Sequence, residues 1–271
     1  MSDVTRVAVL IDCDNISHQW ARAILGEVAK HGTLGIKRGY GDWTDDHLKN
    51  WRPVLATYAI QPVQQFAYSV GKNATDFALV IDAMDLLYSG SVDAFCIVSS
   101  DGDFTRLAMR LRESGRLVFG IGARKTPEAF QNACDQFTYV EVLVGEDAST
   151  EDAQTSKAAA ATATAKRAAK KAVTPSKATT TSKKAQVQRL TDLLLPAVEA
   201  NAKDDGWAAL SAVGSYVVNT TPTFDSRNYG YSKLSALVDD LPRLELKQGP
   251  AGNGLTALYV RVAPRSSRKR A

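Results

Sequence analysis

The chain has 271 residues, 45% of them hydrophobic and 23% charged, with a formal net charge of +4; these values predict about two globular domains and exclude wholesale disorder. Three cysteines without CxxC spacing and three histidines without HxxxH spacing exclude a disulfide scaffold, a zinc ribbon and a histidine-built metal site. No apolar run reaches the roughly 18–20 residues of a membrane helix and the N-terminus does not resemble a signal peptide, so we expect a cytoplasmic protein with no membrane partner.

The charge is distributed unevenly along the chain. Residues 1–144 contain 14 Lys and Arg against 17 Asp and Glu, residues 145–184 contain 8 against 4, and residues 185–271 contain 11 against 8. A basic part joined to an acidic one often marks a polyanion partner. A solvated surface accounts for the same charge equally well, so the charge alone leaves both interpretations open.

The first 144 residues alternate between strand and helix patterns. We predict strands at 6–12, 35–40, 63–68, 94–99, 117–121 and 139–143. We predict helices at 17–30, 45–58 with an interruption near Pro53, 75–88, 103–114 and 127–134. Repeated strand–helix units predict a parallel sheet with helices on both faces, and the working site of such a sheet lies at the carboxyl ends of its strands.

Polar residues cluster where that site is expected. They are Asp12, Asp14 and Asn15 after the first strand, Asp76 at the start of the helix at 75–88, and Asp101 and Asp103 after the strand at 94–99. Carboxylates brought together repel one another unless a cation lies among them, and Mg²⁺ and Mn²⁺ favour oxygen ligands. Such ions lower the pKa of an attacking water and stabilise the leaving oxygen in phosphoryl transfer. The spacing therefore predicts a divalent metal site.

The best candidates for catalytic metal ligands are Asp12, Asp76, Asp101 and Asp103, with Asp14 as a further candidate. Helix capping is the alternative role for Asp103, and it applies equally to Asp14 and Asn15. Asp82 lies six residues after Asp76, or about 240° around a helix. It therefore does not share a face with Asp76, and we predict an ion pair for it.

Four motifs in this part resemble the NYN family of metal-dependent ribonuclease domains, which are similar to PIN domains. The motifs are VAVLIDCDN, KRGYGDW, KNATDFALVIDAMDLL and VSSDGDF, and the resemblance spans about residues 4–144. It implies Mg²⁺- or Mn²⁺-dependent cleavage of RNA by activated water. On the family pattern Asp12, Asp76, Asp101 and Asp103 fall on the acidic positions and Asn15 on the asparagine after the first strand. Many relatives have glycine-valine where this chain has 73–75.

Other side chains near this edge are candidate substrate contacts. Lys72 and Ser100 are placed to meet a phosphate, and Asn15 has the donors and acceptor to orient one. Arg38, with Tyr40 and Trp43, is placed to hold single-stranded bases. A solvated lysine, a hydroxyl bonded to the backbone and packing of the rings are the alternatives. For Trp43 and Trp51 we favour packing.

The remaining residues divide into a linker, a small domain and a tail. Residues 145–185 are rich in Ala, Thr and Lys and are predicted to be a disordered linker. We predict helices at 187–202, kinked at Pro196, at 207–218 and at 232–239, with a hairpin of 244–247 and 257–262. Three helices and a hairpin at 186–262 predict a winged-helix domain. Residues 263–271 form a basic tail.

The stretch FDSRNYGYSKLSALV resembles the LOTUS (OST-HTH) domain, and the resemblance covers most of 186–262. It implies RNA binding, of single-stranded or structured RNA, and in some relatives the recruitment of a protein partner instead. We predict that Arg227, Tyr229 and Lys233 contact RNA, because cations and rings together suit backbone contact and stacking. The alternative for Tyr229 is a place in the small core.

Taken together, these patterns predict an α/β protein: a PIN-like three-layer domain with a mainly parallel sheet, joined by a flexible linker to a small winged-helix domain. The function they favour is that of a metal-dependent ribonuclease whose RNA is held by the C-terminal domain. A non-catalytic RNA-binding adaptor is the first alternative. The second is a haloacid-dehalogenase-like phosphatase with Asp12 as nucleophile, against which Asn15 and the lack of an inserted cap domain argue.

Overall fold

A computed structural model describes residues 5–66, 74–144, 179–250 and 256–263 of the chain. The chain divides into two compact units, one containing a parallel sheet and the other a small antiparallel sheet, and each is described by itself. Among the described helices, none is both long and apolar enough to cross a membrane.

The first unit is built on six strands whose central members are apolar throughout. The strands are β1 Arg6–Asp12, β2 Thr33–Gly41, β3 Gln61–Gln64, β4 Ala94–Val98, β5 Leu117–Gly122 and β6 Gln136–Tyr139. Their order across the sheet is β3-β2-β1-β4-β5-β6, and every neighbouring pair is parallel. All of β4 and nearly all of β1 are buried, because helices cover both faces of the sheet.

Six α-helices are described in the outer layers of this unit, within residues 5–66 and 74–144. They are α1 Ala21–Val28, α2 Trp51–Tyr58, α3 Ala74–Ser89, α4 Thr105–Glu113, α5 Glu128–Ala133 and α6 Val140–Val144. On one face of the sheet, α3, α4 and α5 contribute Leu79, Leu107 and Phe130 to the core. On the other face, α1 and α2 contribute Ile24 and Leu55. These layers confirm the fold class predicted for this part of the chain.

The course of the chain reverses at the centre of the sheet. β1 is followed along the chain by β2 on one side of it, whereas β4 lies on its other side. The loops that leave the carboxyl ends of β1 and β4 therefore run in opposite directions, and a crevice opens between them. The acidic residues predicted from the sequence follow these two strands.

Several predicted elements of the first unit have other bounds in the structure: the strand expected at 63–68 is β3 Gln61–Gln64, and the helix expected at 17–30 is the 3-10 helix His18–Trp20 followed by α1. The strand expected at 139–143 is shifted to β6, and the following residues form α6. The alternating sequence VEVLV suits a strand, but β5 pairs only with 136–139, so the chain beyond has no strand partner there. The helix predicted at 45–58 is divided into the 3-10 helix Asp46–Leu48 and α2. The break lies before Pro53, which is the third residue of α2, where a backbone N–H has no intrahelical partner to lose.

The second unit consists of three helices and a small sheet. Its elements are α7 Thr179–Asn201, β7 Ala208–Ala209, α8 Leu210–Thr220, α9 Leu234–Asp239, β8 Leu244–Pro250 and β9 Thr256–Val262. The sheet is antiparallel, in the order β7-β9-β8. Leu194 of α7, Val213 of α8, Leu237 of α9 and Val260 of β9 are fully buried and form the centre of this unit. A small domain of helices with an antiparallel sheet was predicted here.

The structure also bears on the predicted boundaries. α7 begins at Thr179, inside the segment predicted as linker, and continues through Pro196. β7 was not predicted, because a strand of two residues leaves no periodic signal. Most of the predicted linker, the turn at 251–255 and the tail beyond 263 lie outside the described residues.

Candidate functional site

The site begins at the end of β1, where Asp12 is the last residue of the strand. Its side chain is only 2% exposed. One carboxylate oxygen accepts a hydrogen bond from the Ser99 hydroxyl at 2.7 Å, and the other accepts one from the backbone N–H of Asn15 at 3.2 Å. β1 and β4 are paired neighbours in the sheet, and their register places Ser99, directly after β4, beside Asp12.

Ser99 links two of the predicted acidic residues. It donates its proton to Asp12, and its oxygen accepts from the backbone N–H of Asp101 at 3.1 Å. Asp101 in turn accepts from the backbone N–H of Asp103 at 2.9 Å and so caps the short 3-10 helix Gly102–Phe104. The capping role proposed for Asp103 is therefore wrong: Asp101 caps this turn, and Asp103 lies exposed on it.

Burial and like charge raise the pKa of Asp12 to about 6, from an ordinary value of 3.8. Loss of solvent is the largest cause; the Asp76 and Asp14 carboxylates add to it, and the hydrogen bond from Ser99 opposes it. The structure therefore brings this group into an environment that favours its neutral form in the absence of a nearby cation.

Asp76, in the first turn of α3, belongs to the same electrostatic cluster. Its pKa is raised by burial and then by the charges of Asp101, Asp103 and Asp14. We call Asp12, Asp14, Asp76, Asp101 and Asp103 the acidic cluster. Three segments far apart in sequence thus supply carboxylates that repel one another at one edge of the sheet, as predicted.

The acidic cluster has little positive charge beside it. Among the described residues, no Lys or Arg forms an ion pair with Asp12, Asp76 or Asp101; Asp14 lies 3.2 Å from the His47 Nε2. The donors are all oxygens, which fits a hard divalent cation. Within the described part of the chain, however, no three His, Cys, Asp or Glu side chains are arranged to hold one metal ion. Repulsion between their like charges favours a larger separation of these carboxylates than such an arrangement has.

Arg38, predicted to bind substrate, is occupied by an ion pair. Its Nη1 lies 2.7 Å from the Asp82 Oδ2, and the Tyr40 hydroxyl donates to the same oxygen at 2.9 Å. The ion pair predicted for Asp82 is confirmed. Tyr40 is fully buried, so the prediction that it stacks on a base is wrong. These contacts join α3, which carries Asp76, to β2.

We expect Asp82→Asn to lower the free energy of unfolding by about 1–3 kcal/mol, because the replacement leaves the partly buried Arg38 cation without its counter-charge. Urea denaturation of the full chain measures the change. Asp85→Asn is the matched control, since Asp85 lies exposed on the same helix and should change stability by less than about 0.5 kcal/mol. Equal stability of the two variants would contradict this role of Asp82.

The remaining predicted contacts of this unit have different surroundings. Ser100 is nearly buried, and its oxygen accepts from the backbone N–H of Ala123 at 2.9 Å, so it joins the ends of β4 and β5. Asn15 is exposed beside Asp12. Trp43 packs against the core and donates its indole N–H to the Val63 carbonyl at 3.0 Å. Lys72 lies outside the described residues.

Trp51 and His47 complete the surroundings of this edge. Trp51 is 2% exposed and donates to the Ile16 carbonyl at 3.2 Å, so the prediction of packing is confirmed for it. Sequence reasoning missed His47 beside Asp14, because the two residues belong to different loops and no motif links them. It also missed the hydrogen bond that Ser99 donates to Asp12.

In the second unit, the three predicted RNA contacts lie on or near α9. Arg227 forms an ion pair with Asp225, with a separation of 2.6 Å. Tyr229 is half-buried, and burial raises its pKa. Lys233 is exposed directly before α9. Only Lys233 therefore presents its charge in the way that the prediction required.

Comparison with known families matches both parts of the chain. The NYN domain family matches residues 6–141. The OST-HTH/LOTUS domain family matches residues 181–256. No curated protein matches the chain. Both resemblances inferred from the sequence are confirmed by these matches.

Several solved structures are similar to parts of the chain. A protein of unknown function from Vibrio parahaemolyticus RIMD 2210633 is 18% identical over 51% of this chain and 95% of its own, with a TM-score of 0.45. An uncharacterized protein from Nitrosomonas europaea is 28% identical over 40% and 96%, with a TM-score of 0.27. A fragment of a Chromobacterium violaceum protein is 35% identical over 30% and 91%, with a TM-score of 0.25.

Proposed function

The chain belongs to the NYN domain family, and we propose that it is a ribonuclease that hydrolyses RNA phosphodiester bonds with the help of a bound divalent metal ion. The family match supports a PIN-like nuclease domain, and the OST-HTH/LOTUS match supports RNA as the partner. The observation that carries the proposal is the acidic cluster, in which a buried Asp12 with a raised pKa is coupled to Asp76 across the crevice edge.

The donor set suits Mg²⁺ or Mn²⁺. Asp12, Asp76, Asp101 and Asp103 would hold the ion or ions, with Asp14 beside them, since carboxylate oxygens are the ligands that these hard cations favour. A bound ion of this kind supplies an activated water and stabilises the leaving oxygen of a phosphodiester. The net reaction forms one bond between phosphorus and a water oxygen and breaks one phosphorus–oxygen ester bond.

The chain's own residues prepare this site in two ways. Ser99 fixes the Asp12 carboxylate in one orientation by donating to one of its oxygens. The ion pair of Asp82 with Arg38 joins α3 to β2 and so supports Asp76 near the first turn of that helix. Rigid placement of this sort lowers the cost of assembling a catalytic group at the moment of reaction.

RNA itself is polyanionic, so the acidic cluster repels it unless its charge is neutralised. Metal dependence follows directly from this electrostatic conflict. The proposed compartment is the cytoplasm, since the three cysteines are buried thiols, which suits a reducing environment.

The experiment that tests the proposal uses end-labelled single-stranded RNA, hairpin RNA and DNA of the same sequence. Purified full chain is incubated with each in Mn²⁺, Mg²⁺ or EDTA. We expect RNA cleavage with either metal and none in EDTA, with Asp101→Asn as the inactive control. Binding of RNA without cleavage under every condition would instead favour the adaptor. Cleavage that persists in EDTA would contradict metal dependence.

A further inference from the structure

The sheet of the second unit has a face that the core does not use. Along β9, Val260 is fully buried, whereas its neighbours Tyr259 and Arg261 are partly exposed. Along β8, Leu244 is buried and Lys247 is exposed. Because side chains alternate between the faces of a strand, Tyr259, Arg261 and Lys247 lie on the outer face of the hairpin.

Trp207, directly before β7, joins these residues. The Lys247 Nζ lies 4.0 Å from the centroid of the Trp207 ring, and the Arg261 Cζ lies 4.6 Å from it. The Lys247 Nζ is also 5.9 Å from the Tyr259 centroid. We call Trp207, Lys247, Tyr259 and Arg261 the ring–cation patch.

The distances place both cations of the patch over the Trp207 ring. A cation within about 6 Å of a ring centroid is attracted by the ring; both contacts with Trp207 lie well inside this distance, and the contact of Lys247 with Tyr259 lies near its limit. The contacts hold two cations at fixed positions on the outer surface of the sheet. They therefore form an ordered surface rather than an arbitrary group of solvated side chains.

The charge of the patch favours an anionic partner. Arg261 is paired with Glu245, its register partner on β8, at 2.7 Å. The described contacts of the Lys247 ammonium are with the two rings, so its charge is not compensated by a carboxylate there. Aromatic rings beside an uncompensated cation are features by which proteins hold single-stranded nucleic acid: a ring stacks on a base and the cation contacts a phosphate.

We propose that the ring–cation patch is the surface that holds single-stranded RNA, with Lys247 contacting a phosphate and the Tyr259 ring stacking on a base, beside the Trp207 ring and the ion pair of Arg261 with Glu245. The proposal rests on the proposed function, since it takes RNA as the substrate. It differs from the prediction made from the sequence, which assigned RNA to the surface near α9.

The test measures binding of a fluorescein-labelled single-stranded RNA to the full chain by anisotropy, in EDTA, over a series of salt concentrations. EDTA keeps binding separate from cleavage. The variant is Lys247→Gln/Arg261→Gln, which removes two positive charges from exposed positions and leaves the buried core untouched. We expect affinity to fall about tenfold or more and the salt slope to decrease by about 0.7, the value for one phosphate contact on a single strand.

Two single replacements of the same chemistry serve as comparisons. Arg189→Gln removes an exposed cation from α7 and should change affinity less than twofold. Lys233→Gln tests the surface predicted from the sequence. A larger loss with Lys233→Gln than with the double variant, or an unchanged affinity of the double variant, would overturn the proposal. Thermal unfolding of each variant shows that the loss is not a loss of fold.

The outcomes also separate this inference from the proposed function. If the wild-type chain cleaves RNA in Mn²⁺ but the double variant binds RNA as well as wild type does, the patch is wrong and the ribonuclease proposal stands. If the double variant loses binding but wild type never cleaves, the patch stands and the ribonuclease proposal fails. Absence of RNA binding by the wild-type chain would overturn the patch as an RNA surface and favour a protein partner there.

Discussion

Asp12→Asn should lower metal-dependent RNA cleavage by more than about a hundredfold. The replacement keeps the shape of the side chain and its hydrogen-bonding capacity toward Ser99, but it removes the most buried negative charge of the acidic cluster. A bound divalent ion is worth several kcal/mol of transition-state stabilisation, and its affinity depends directly on ligand charge. Single-turnover cleavage of labelled RNA in Mn²⁺ measures the loss, and Asp101→Asn should behave similarly.

Asp85→Asn is the control for this prediction. Asp85 is an exposed carboxylate on α3, the helix that also carries Asp76, and its removal changes the net charge by the same amount. Its cleavage rate should stay within about twofold of wild type, because exposed charges are largely screened. An Asp12→Asn protein as active as Asp85→Asn would exclude the acidic cluster as the metal site.

The same replacement should stabilise the metal-free protein near neutral pH. The pKa of Asp12 is about 6 in the fold and near 3.8 ordinarily. The folded state therefore binds the proton more tightly, and its free energy of unfolding falls as the pH rises from about 4 to about 6. Above pH 6 the ionised Asp12 lowers the free energy of unfolding by at most about 3 kcal/mol. Asp12→Asn removes this destabilisation.

Urea denaturation in EDTA at pH 4, 5, 6 and 7.5 measures this effect as the difference between variant and wild type. The variant should be the more stable protein at pH 7.5, and the advantage should shrink to near zero at pH 4, where Asp12 is protonated. Saturating Mn²⁺ should reverse the order, since binding to the folded state adds stability only where the ligand is present. A stability difference that does not vary with pH would contradict the raised pKa.

Much of the fold can be predicted from sequence patterns that indicate which residues are buried. The strands β1 and β4 lie within one residue of their predicted bounds, because a continuous apolar run between turn residues has no other stable place than the centre of a covered sheet. The position of β6 could not be predicted. Apolar and polar residues alternate no more regularly in β6 than in α6. Which of the two segments forms the strand depends on where β5, its pairing partner, ends.

The candidate site was predictable to the extent that it depends on chain topology. The sequence predicts that Asp12 and Asp101 lie close together, because both follow central strands of a parallel sheet. Which polar atoms they contact could not be predicted. Ser99 was one of several hydroxyls in the segment, and only its register beside Asp12 selects it. The same holds for Tyr40, whose aromatic ring suited a base until its burial excluded contact with one.

The ring–cation patch was hidden for a related reason. Trp207, Lys247 and Arg261 are separated by up to 54 positions in the sequence, and no local spacing connects them. The pairing of β9 with β7 on one side and with β8 on the other brings them together. Arg227, by contrast, lies next to aromatic residues in the sequence and appeared suited to RNA, yet Asp225 two positions earlier already neutralises it.

The hydrogen bond between Asp12 and Ser99 spans 87 residues, and this separation governs when the site comes into existence during synthesis. β2 follows β1 directly along the chain, whereas β4 must be synthesised before Ser99 can reach Asp12. Long-range parallel pairing is also slow compared with local pairing. A nascent chain that stops before β4 therefore contains Asp12, Asp14 and Asp76 without Ser99, Asp101 and Asp103, and the acidic cluster is complete only after β4 has joined the centre of the sheet.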